Sequence, residues 1–329
     1  MDLSVIIVSY RGWERLTRCL EALNSFSGER FTMEVIVVDN HSMDDGIEKI
    51  EGRFRKFNFI RNTINGGFAN GCNLGAGKAA GQFLLFLNPD AVVEEAAAEK
   101  LINAARSDHQ HYILSCRQVR EDGRENRVTG KFPELWNFTG FLRSISGTGK
   151  IERSAKDNIF YPDWVSGSVM LIRREIFFKL TGFDEDFWMY SEDVDLCRQA
   201  RDMGGKVVLC GEIVVEHNHG GSSRTNLITA SLTKCEVLIS RHVYIHKHKK
   251  GAERLIFQSL MVINNLITGL VTAFIGIILF FVPGVLVRSL VFLRLLRYYS
   301  SALYRHSWLS PRSVSLNKSH GMKSVSHLQ

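Results

Sequence analysis

The chain has 329 residues, 45% of them hydrophobic, and a formal charge of +7. That is ample apolar material for one large α/β domain with an appendage, or for two ordinary domains, and it excludes a chain disordered throughout. The charge is uneven: residues 241–329 hold twelve Lys and Arg against the single acid Glu253, a net +11, so residues 1–240 carry −4. A basic tail beside an apolar segment fits the anionic face of a membrane and argues against nucleic acid as the partner.

Leu3–Val8 opens the chain as a short β-branched run, and Glu34–Val38 (EVIVV) is a second, with a helical pattern over Trp13–Leu23 between them. This predicts a βαβ unit. The start lacks a basic n-region and apolar h-region, so the expectation is a catalytic part that stays in the cytoplasm. Phe57–Ile60 reads as a third strand, Asn73–Ala80 as a helix, and Phe83–Leu87 (FLLFL) as a buried fourth strand running into Asn-Pro-Asp. Continuously apolar strands alternating with helices predict a mostly parallel sheet covered on both faces, with ligands at the carboxyl ends of its strands.

Residues 91–105 read as a helix, 108–130 as strands and turns, and 131–163 as an irregular aromatic and glycine-containing stretch suited to a mobile or acceptor-facing loop. A strand over Ser168–Arg173, a short helix over Arg174–Leu180, a helix over Asp193–Met203 and a strand region over Lys206–Val215 follow. The six cysteines show none of the zinc-ligand spacings and read as reduced core residues. No charged residue occurs from Leu255 to Val287, and the 22 residues from Leu266 are long enough to cross a hydrocarbon core of about 30 Å. Basic residues flank this run on both sides and Asn264, Asn265, Pro283 and Gly284 interrupt it, so the run can span, re-enter or lie on the membrane; a re-entrant hairpin keeps both flanks on one side and a single span does not, and Arg288–Arg305 is suited to lying in the interface.

Acids stand at the ends of the predicted strands and at a predicted helix start, where ligands of such a sheet bind. Asp39 ends the second strand in VVDNHS, where its carboxylate can accept the imino hydrogen of uracil or thymine or cap a turn. Asp90 emerges from FLLFLNPDA, positioned to coordinate a divalent cation, although NPD alone is also a common turn. WMYSEDVDLC puts Glu192, Asp193 and Asp195 within four residues of a helix start beside aromatics. Capping accounts for one acid; crowding of three raises a pKa towards general-base values. His217 and His219 follow the last strand and can supply an imidazole to a cation.

Taken in order, VSYR (8–11), VVDNHSMD (37–44), NGGFANGCNLG (65–75), FLNPDA (86–91), VSGSVMLIRREIF (165–177), GFDEDFWMYSEDVDLC (182–197) and HNHGGSS (217–223) resemble the family 2 glycosyltransferases of the GT-A fold, nearest to the rhamnosyltransferases of bacterial cell-surface polysaccharide synthesis. The resemblance covers about residues 3–225. It implies an α/β GT-A domain over 1–240 and a basic, membrane-associated helical region over 241–329, apolar at 255–287. It implies an inverting transfer with Asp193, in an acidic pair with Glu192, as general base; Asp90 and His217 on Mg²⁺ or Mn²⁺; and Asp39 on the nucleotide base. Ser9, Tyr10, Asn65, Gly67, Phe68, Asn73 and Asn88 complete the nucleotide-sugar site.

Two departures from the family pattern stand out. Asn88 replaces the first Asp of DxD, and Arg11 stands where Asn is usual and can reach a phosphate. The donor implied is dTDP-rhamnose, with a UDP-linked GlcNAc, Gal or Glc as the alternative, and the acceptor a polyprenyl diphosphate-linked saccharide at the cytoplasmic face of a bacterial inner membrane. A non-catalytic sugar-nucleotide-binding paralogue is the remaining alternative. The turn SYRGWE lacks GxGxxG and GAGKAAG (75–81) fails the Walker pattern, which excludes a dehydrogenase and a P-loop enzyme; QxxRW is missing, which argues against a processive synthase.

Overall fold

The structure is a computed structural model that describes residues 1–134, 152–153, 158–218, 226–279 and 281–319. His219, most of the 131–163 stretch and the end of the HNHGGSS motif lie outside the described residues. By its internal packing the chain divides into two units: Met1–Asn65, Gly71–Asp184 and Asp193–His219 form the first, and Gly66–Asn70, Glu185–Glu192 and Gly220–Gln329 the second.

The first unit is built on a ten-stranded sheet. Strands β1 (Leu3–Ser9), β2 (Met33–Asp39), β3 (Asn58–Arg61) and β4 (Phe83–Leu87) pair in parallel in the order β3-β2-β1-β4. Beyond them β11 (Val169–Arg173) runs antiparallel between β4 and β6 (His111–Val119), and β12 (Lys206–His217) returns parallel to β6. The two-residue β5 (Ala91–Val92) pairs antiparallel with the end of β12; β9 (Ile159–Tyr161) and β8 (Glu152–Arg153) extend the sheet beyond β12, and β7 (Thr129–Gly130) and β10 (Trp164–Val165) form a separate antiparallel pair.

Helices α1 (Trp13–Asn24), α2 (Gly46–Arg53) and α4 (Glu95–Ser107) connect these strands, with α5 (Arg174–Lys179) after β11 and α6 (Glu192–Asp202) before β12. α1 turns Leu16, Cys19, Leu20 and Leu23 inward, an i, i+3, i+4, i+7 stripe that meets the apolar faces of β1 and β2. All five residues of β4 are buried, as a central strand covered on both faces requires. Phe86 packs on the rings of Phe177 and Phe183 at centroid separations of 5.0 and 4.9 Å.

One predicted helix is displaced. Asn73–Ala80 is expected; α3 runs Gly67–Ala76. Its glycines lower helix propensity by about 1 kcal/mol each, yet a Cβ at Gly71 would overlap Val8 and one at Gly75 would overlap Ile6. The glycines let this helix lie close on the sheet, and packing overrides propensity.

The second unit holds three long helices, α7 (Leu227–His248), α8 (Gly251–Ile278) and α9 (Pro283–Arg305), then the short α10 (Val314–Ser319). The apolar run 255–287 is not one helix: α8 ends at Ile278, and Pro283 at the first turn of α9 starts the next. His242 in α7 is buried, stacked on Trp308 at 5.0 Å, with hydrogen bonds to Gln258 and Tyr299. These bonds satisfy a polar group that would otherwise be costly to bury.

Candidate active site

In the first unit the acids predicted from sequence stand at strand ends or at the start of α6. Asp39 closes β2 and is buried; its Oδ1 accepts from the Ser42 hydroxyl at 2.5 Å and the Ser42 amide at 3.2 Å. With Oδ1 so occupied, Oδ2 is the oxygen suited to an external N–H donor. Ser9 ends β1 directly opposite Asp39, and its carbonyl accepts the Asn40 amide at 2.8 Å. Asn65 joins this group by accepting from Asn40 Nδ2 at 3.2 Å. Tyr10 is exposed, with the Arg11 guanidinium 5.4 Å from its ring centroid. Arg11 takes a positive φ of 52°, and its amide donates to Ser42 Oγ at 2.9 Å, tying the β1 and β2 turns together.

A second cluster forms beyond β4. The pairing of Ala91 with His217 draws the end of β12 against the Asn-Pro-Asp turn. His217 is fully buried, and its Nε2 lies 3.1 Å from Asp90 Oδ1 and 3.3 Å from Asn88 Nδ2. Its Nδ1 lies 2.7 Å from Gln118 Oε1, which also accepts from Ser168 Oγ at 2.9 Å.

With an amide oxygen facing Nδ1, that nitrogen carries the N–H, and in the neutral ring Nε2 is then a lone pair directed at a carboxylate. Two acceptors 3.1 Å apart repel unless a cation or a proton lies between them. An imidazole and a carboxylate, with the Gln118 oxygen behind the ring, would fit a divalent cation of the Mg²⁺ or Mn²⁺ type. No group of three His, Cys, Asp or Glu side chains is gathered for a metal among the described residues.

Asp193 opens α6 after Glu192. Its Oδ2 accepts from the Gly167 amide at 3.0 Å and its Oδ1 from the Val194 amide at 2.8 Å. Part of the residue still meets solvent, but dense protein around the carboxyl raises its pKa above the ordinary Asp value; the two N–H bonds oppose that rise without cancelling it. Asp195 is fully buried and accepts from Gln199 at 2.7 Å, the position of a structural acid.

Asn73 is not drawn into the polar group around Asp39. Its amide exchanges two hydrogen bonds with the Phe183 backbone, at 2.8 and 2.9 Å, and so braces the segment leading to the acids.

In the second unit, Gly67 takes φ +84°, and the Phe68 amide donates to the Trp188 carbonyl at 2.9 Å. A Cβ at Gly67 would overlap that carbonyl, so only glycine fits. Glu192 is buried. Just before it, Tyr190 and Ser191 both hold positive φ, 72° and 65°, and Ser191 Oγ lies 3.2 Å from Ser240 Oγ of α7. Consecutive left-handed non-glycine residues store strain that surrounding contacts must hold.

Sequence reasoning missed Gln118 and Ser168. Neither has a local signature: Gln118 is one polar residue in an apolar strand, and only the β6–β12 pairing brings it to His217.

A twisted sheet whose parallel half ends in polar turns, with a carboxylate–imidazole pair beyond β4, defines a nucleotide-sugar transferase of the GT-A type. Residues 4–195 match the family described as Glycosyl transferase family 2, and the chain belongs to that family of glycosyltransferases.

Among curated relatives, it is 28% identical over 203 residues to the rhamnosyltransferase WbbL of Escherichia coli K12, covering 59% of this chain and 74% of that one. It is 26% identical over 214 residues to an N-acetylglucosaminyl-diphospho-decaprenol L-rhamnosyltransferase of Mycobacterium tuberculosis H37Rv, covering 59% and 68%. Among solved structures, the mannosyltransferase PcManGT of Pyrobaculum calidifontis, in complex with GDP-Man and Mn²⁺, superposes with a TM-score of 0.54 at 16% identity, covering 77% of this chain and 66% of that one. GalNAc-T7 with UDP, GalNAc and Mn²⁺ gives 0.53 at 20% identity, covering 71% of this chain and 48% of that longer one. At these identities the structural likeness bears on the fold.

Proposed function

We propose that the chain transfers L-rhamnose from dTDP-rhamnose to a hydroxyl of a lipid-linked saccharide, with inversion, in the synthesis of a bacterial surface polysaccharide. The rhamnose reading is supported by relatives named rhamnosyltransferases and by Asn88 in place of an acid. The single observation that carries the catalytic reading is the approach of His217 Nε2 to Asp90 Oδ1 at 3.1 Å, an imidazole and a carboxylate set where a divalent cation would be held.

In this reading the division of labour follows the residues. Asp39, Ser9, Tyr10 and Asn65 receive the nucleotide base and ribose, with Gly67, Phe68 and Asn73 shaping the segments nearby. Asp90 and His217 hold Mg²⁺ or Mn²⁺, and Asn88 donates an N–H to this group. When bound, the cation neutralises charge on the diphosphate. Asp193, kept basic by its raised pKa, takes the acceptor's hydroxyl proton, and Glu192 sets the start of its helix. The freed oxygen attacks the anomeric carbon as the carbon–oxygen bond to the diphosphate breaks, and its electron pair leaves with dTDP. One displacement inverts the centre, and no residue need act as nucleophile.

Residues 1–240 then serve as the catalytic domain, and 241–329 associate with the cytoplasmic face of the inner membrane, where a polyprenyl diphosphate-linked acceptor presents its head group. Transfer by the full chain in detergent, measured against dTDP- and UDP-sugars with Mn²⁺ or Mg²⁺, tests the proposal. Turnover of dTDP-rhamnose alone, lost in Asp90→Ala, is expected. Turnover of a UDP-sugar instead overturns the donor and keeps the mechanism; no turnover of any donor favours a non-catalytic paralogue.

A further inference from the structure

Helices α8 and α9 form an antiparallel hairpin. Its contacts step outward from the tip: Gly276 meets Ser289, Gly269 meets Phe292, and Asn265 donates to the Tyr299 hydroxyl at 2.9 Å. A Cβ at Gly269 would overlap the Phe292 ring and one at Gly276 the Ser289 hydroxyl, so the small residues let the helices close on each other. That seam uses one face of α8. The opposite face carries Ile263, Ile267, Leu270, Phe274 and Ile277 at three- and four-residue spacing, and Phe281 in the turn continues it; each is more than half exposed. Less than a fifth of the most apolar 18-residue window of α8 is buried, unlike the core helix of a soluble protein.

Resting on the membrane association proposed above, we infer that this hairpin is re-entrant: its tip dips into one anionic leaflet and returns, so that both ends of the apolar run stay on the same side. α8 alone is long and apolar enough to cross a hydrocarbon core of about 30 Å, but the arm that returns along it carries Arg288 within two turns of its start at Pro283, so the returning arm sets how far the pair can enter. Arg288 and Arg297 limit the depth. Both are exposed on α9, and Arg288 follows Pro283 by five residues, about 8 Å along the helix. A guanidinium there reaches the phosphate plane by snorkelling while the last turns lie among acyl chains.

Charge selects the occupant. The hairpin's flanks hold Lys249, Lys250, Arg254, Arg288, Arg294 and Arg297 against Glu253, so anionic head groups complement them.

The test uses full-length F281C added outside preformed vesicles of phosphatidylcholine with one-quarter phosphatidylglycerol; all six native cysteines are buried. The protein is expected to float with the vesicles, and the introduced thiol to be protected from an impermeant maleimide both outside and trapped in the lumen, reacting only after detergent. Labelling by the lumenal reagent would mean a spanning helix and overturns the hairpin while membrane association survives. Labelling from outside on floating protein means a hairpin that does not insert, which also overturns it. Failure to float, with or without self-association through the apolar face, defeats the membrane reading itself. Reversing two charges in R288E/R297E should lower partitioning into the phosphatidylglycerol vesicles by tenfold or more and leave partitioning into pure phosphatidylcholine nearly unchanged; equal losses on both would refute the role of charge.

Discussion

The two units bury their apolar residues by opposite rules. In the α/β unit, β4 hides all five residues and its polar groups collect at strand ends; in the helical unit, α8 shows most of its apolar surface and buries the polar side chain of Gln258. The first pattern is that of a chain folded against water; the second leaves an apolar face that the membrane association proposed above would cover. Substitutions of similar chemistry should therefore have opposite consequences in the two.

The largest effect is expected at Asp193. Asp193→Asn should lower kcat by about 10²–10⁴, the range of a lost general base. The raised pKa gives this variant a second signature. A carboxyl whose folded pKa exceeds its unfolded value favours folding at low pH, and that contribution is lost as pH rises from the unfolded pKa through the folded one. Chemical denaturation should therefore find Asp193→Asn gaining stability relative to the parent as pH increases across that window. Activity of the parent should fall on acidification at a pH above the ordinary Asp range, and a pH profile flat to pH 4 would contradict a base at this position.

Next comes a paired substitution across the units. Phe86→Ala removes a ring packed on Phe177 and Phe183 and should cost about 3–5 kcal/mol in denaturant unfolding. Ile277→Ser, on the outer face of α8, should change stability in detergent by less than about 0.5 kcal/mol and weaken vesicle binding instead. Comparable destabilisation by both would mean that α8 is a core helix after all.

Much of the α/β unit was legible because its signals are local. EVIVV and FLLFL announce buried strands, and an acid straight after such a run stands at a carboxyl end whatever the rest of the fold does. α3 was misread because its glycines argue against a helix, and the reason for them, close approach to Val8 and Ile6, exists only in three dimensions. α2 and α7 passed unrecognised: both mix polar and apolar residues without a strong period, and α7 draws its order from burial of His242 among groups far along the chain. At the site, Asp90 and His217 stand 127 residues apart in sequence, and only the β5–β12 pairing joins them.

A smaller effect is expected in the helical unit. Glu236 of α7 is buried, and desolvation pushes its pKa up to about 7 despite the Ser310 hydroxyl and the Arg312 charge. Its contribution to stability is thus complete below the usual Glu range and declines as pH rises through about 7. Glu236→Gln should stabilise the unit at pH 8 by about 1–3 kcal/mol, with the gain fading towards pH 4, as read from thermal unfolding across pH.

Gln118 provides the smallest and most specific test. Its carbonyl oxygen orients His217 from behind while touching no substrate, so Gln118→Leu, which preserves volume but cannot accept from Nδ1, should leave the fold intact and free the imidazole to take the other tautomer. The concentration of Mn²⁺ giving half-maximal transfer should rise about 10–100-fold, with kcat at saturating cation nearly unchanged. Gln118→Glu keeps an acceptor at the same place and adds negative charge, so it should recover most of that affinity. A purely structural role for Gln118 predicts instead that both variants lose stability together and that neither shifts the cation titration. The same contrast separates a cation-bearing His217 from a buried histidine that merely closes the end of β12.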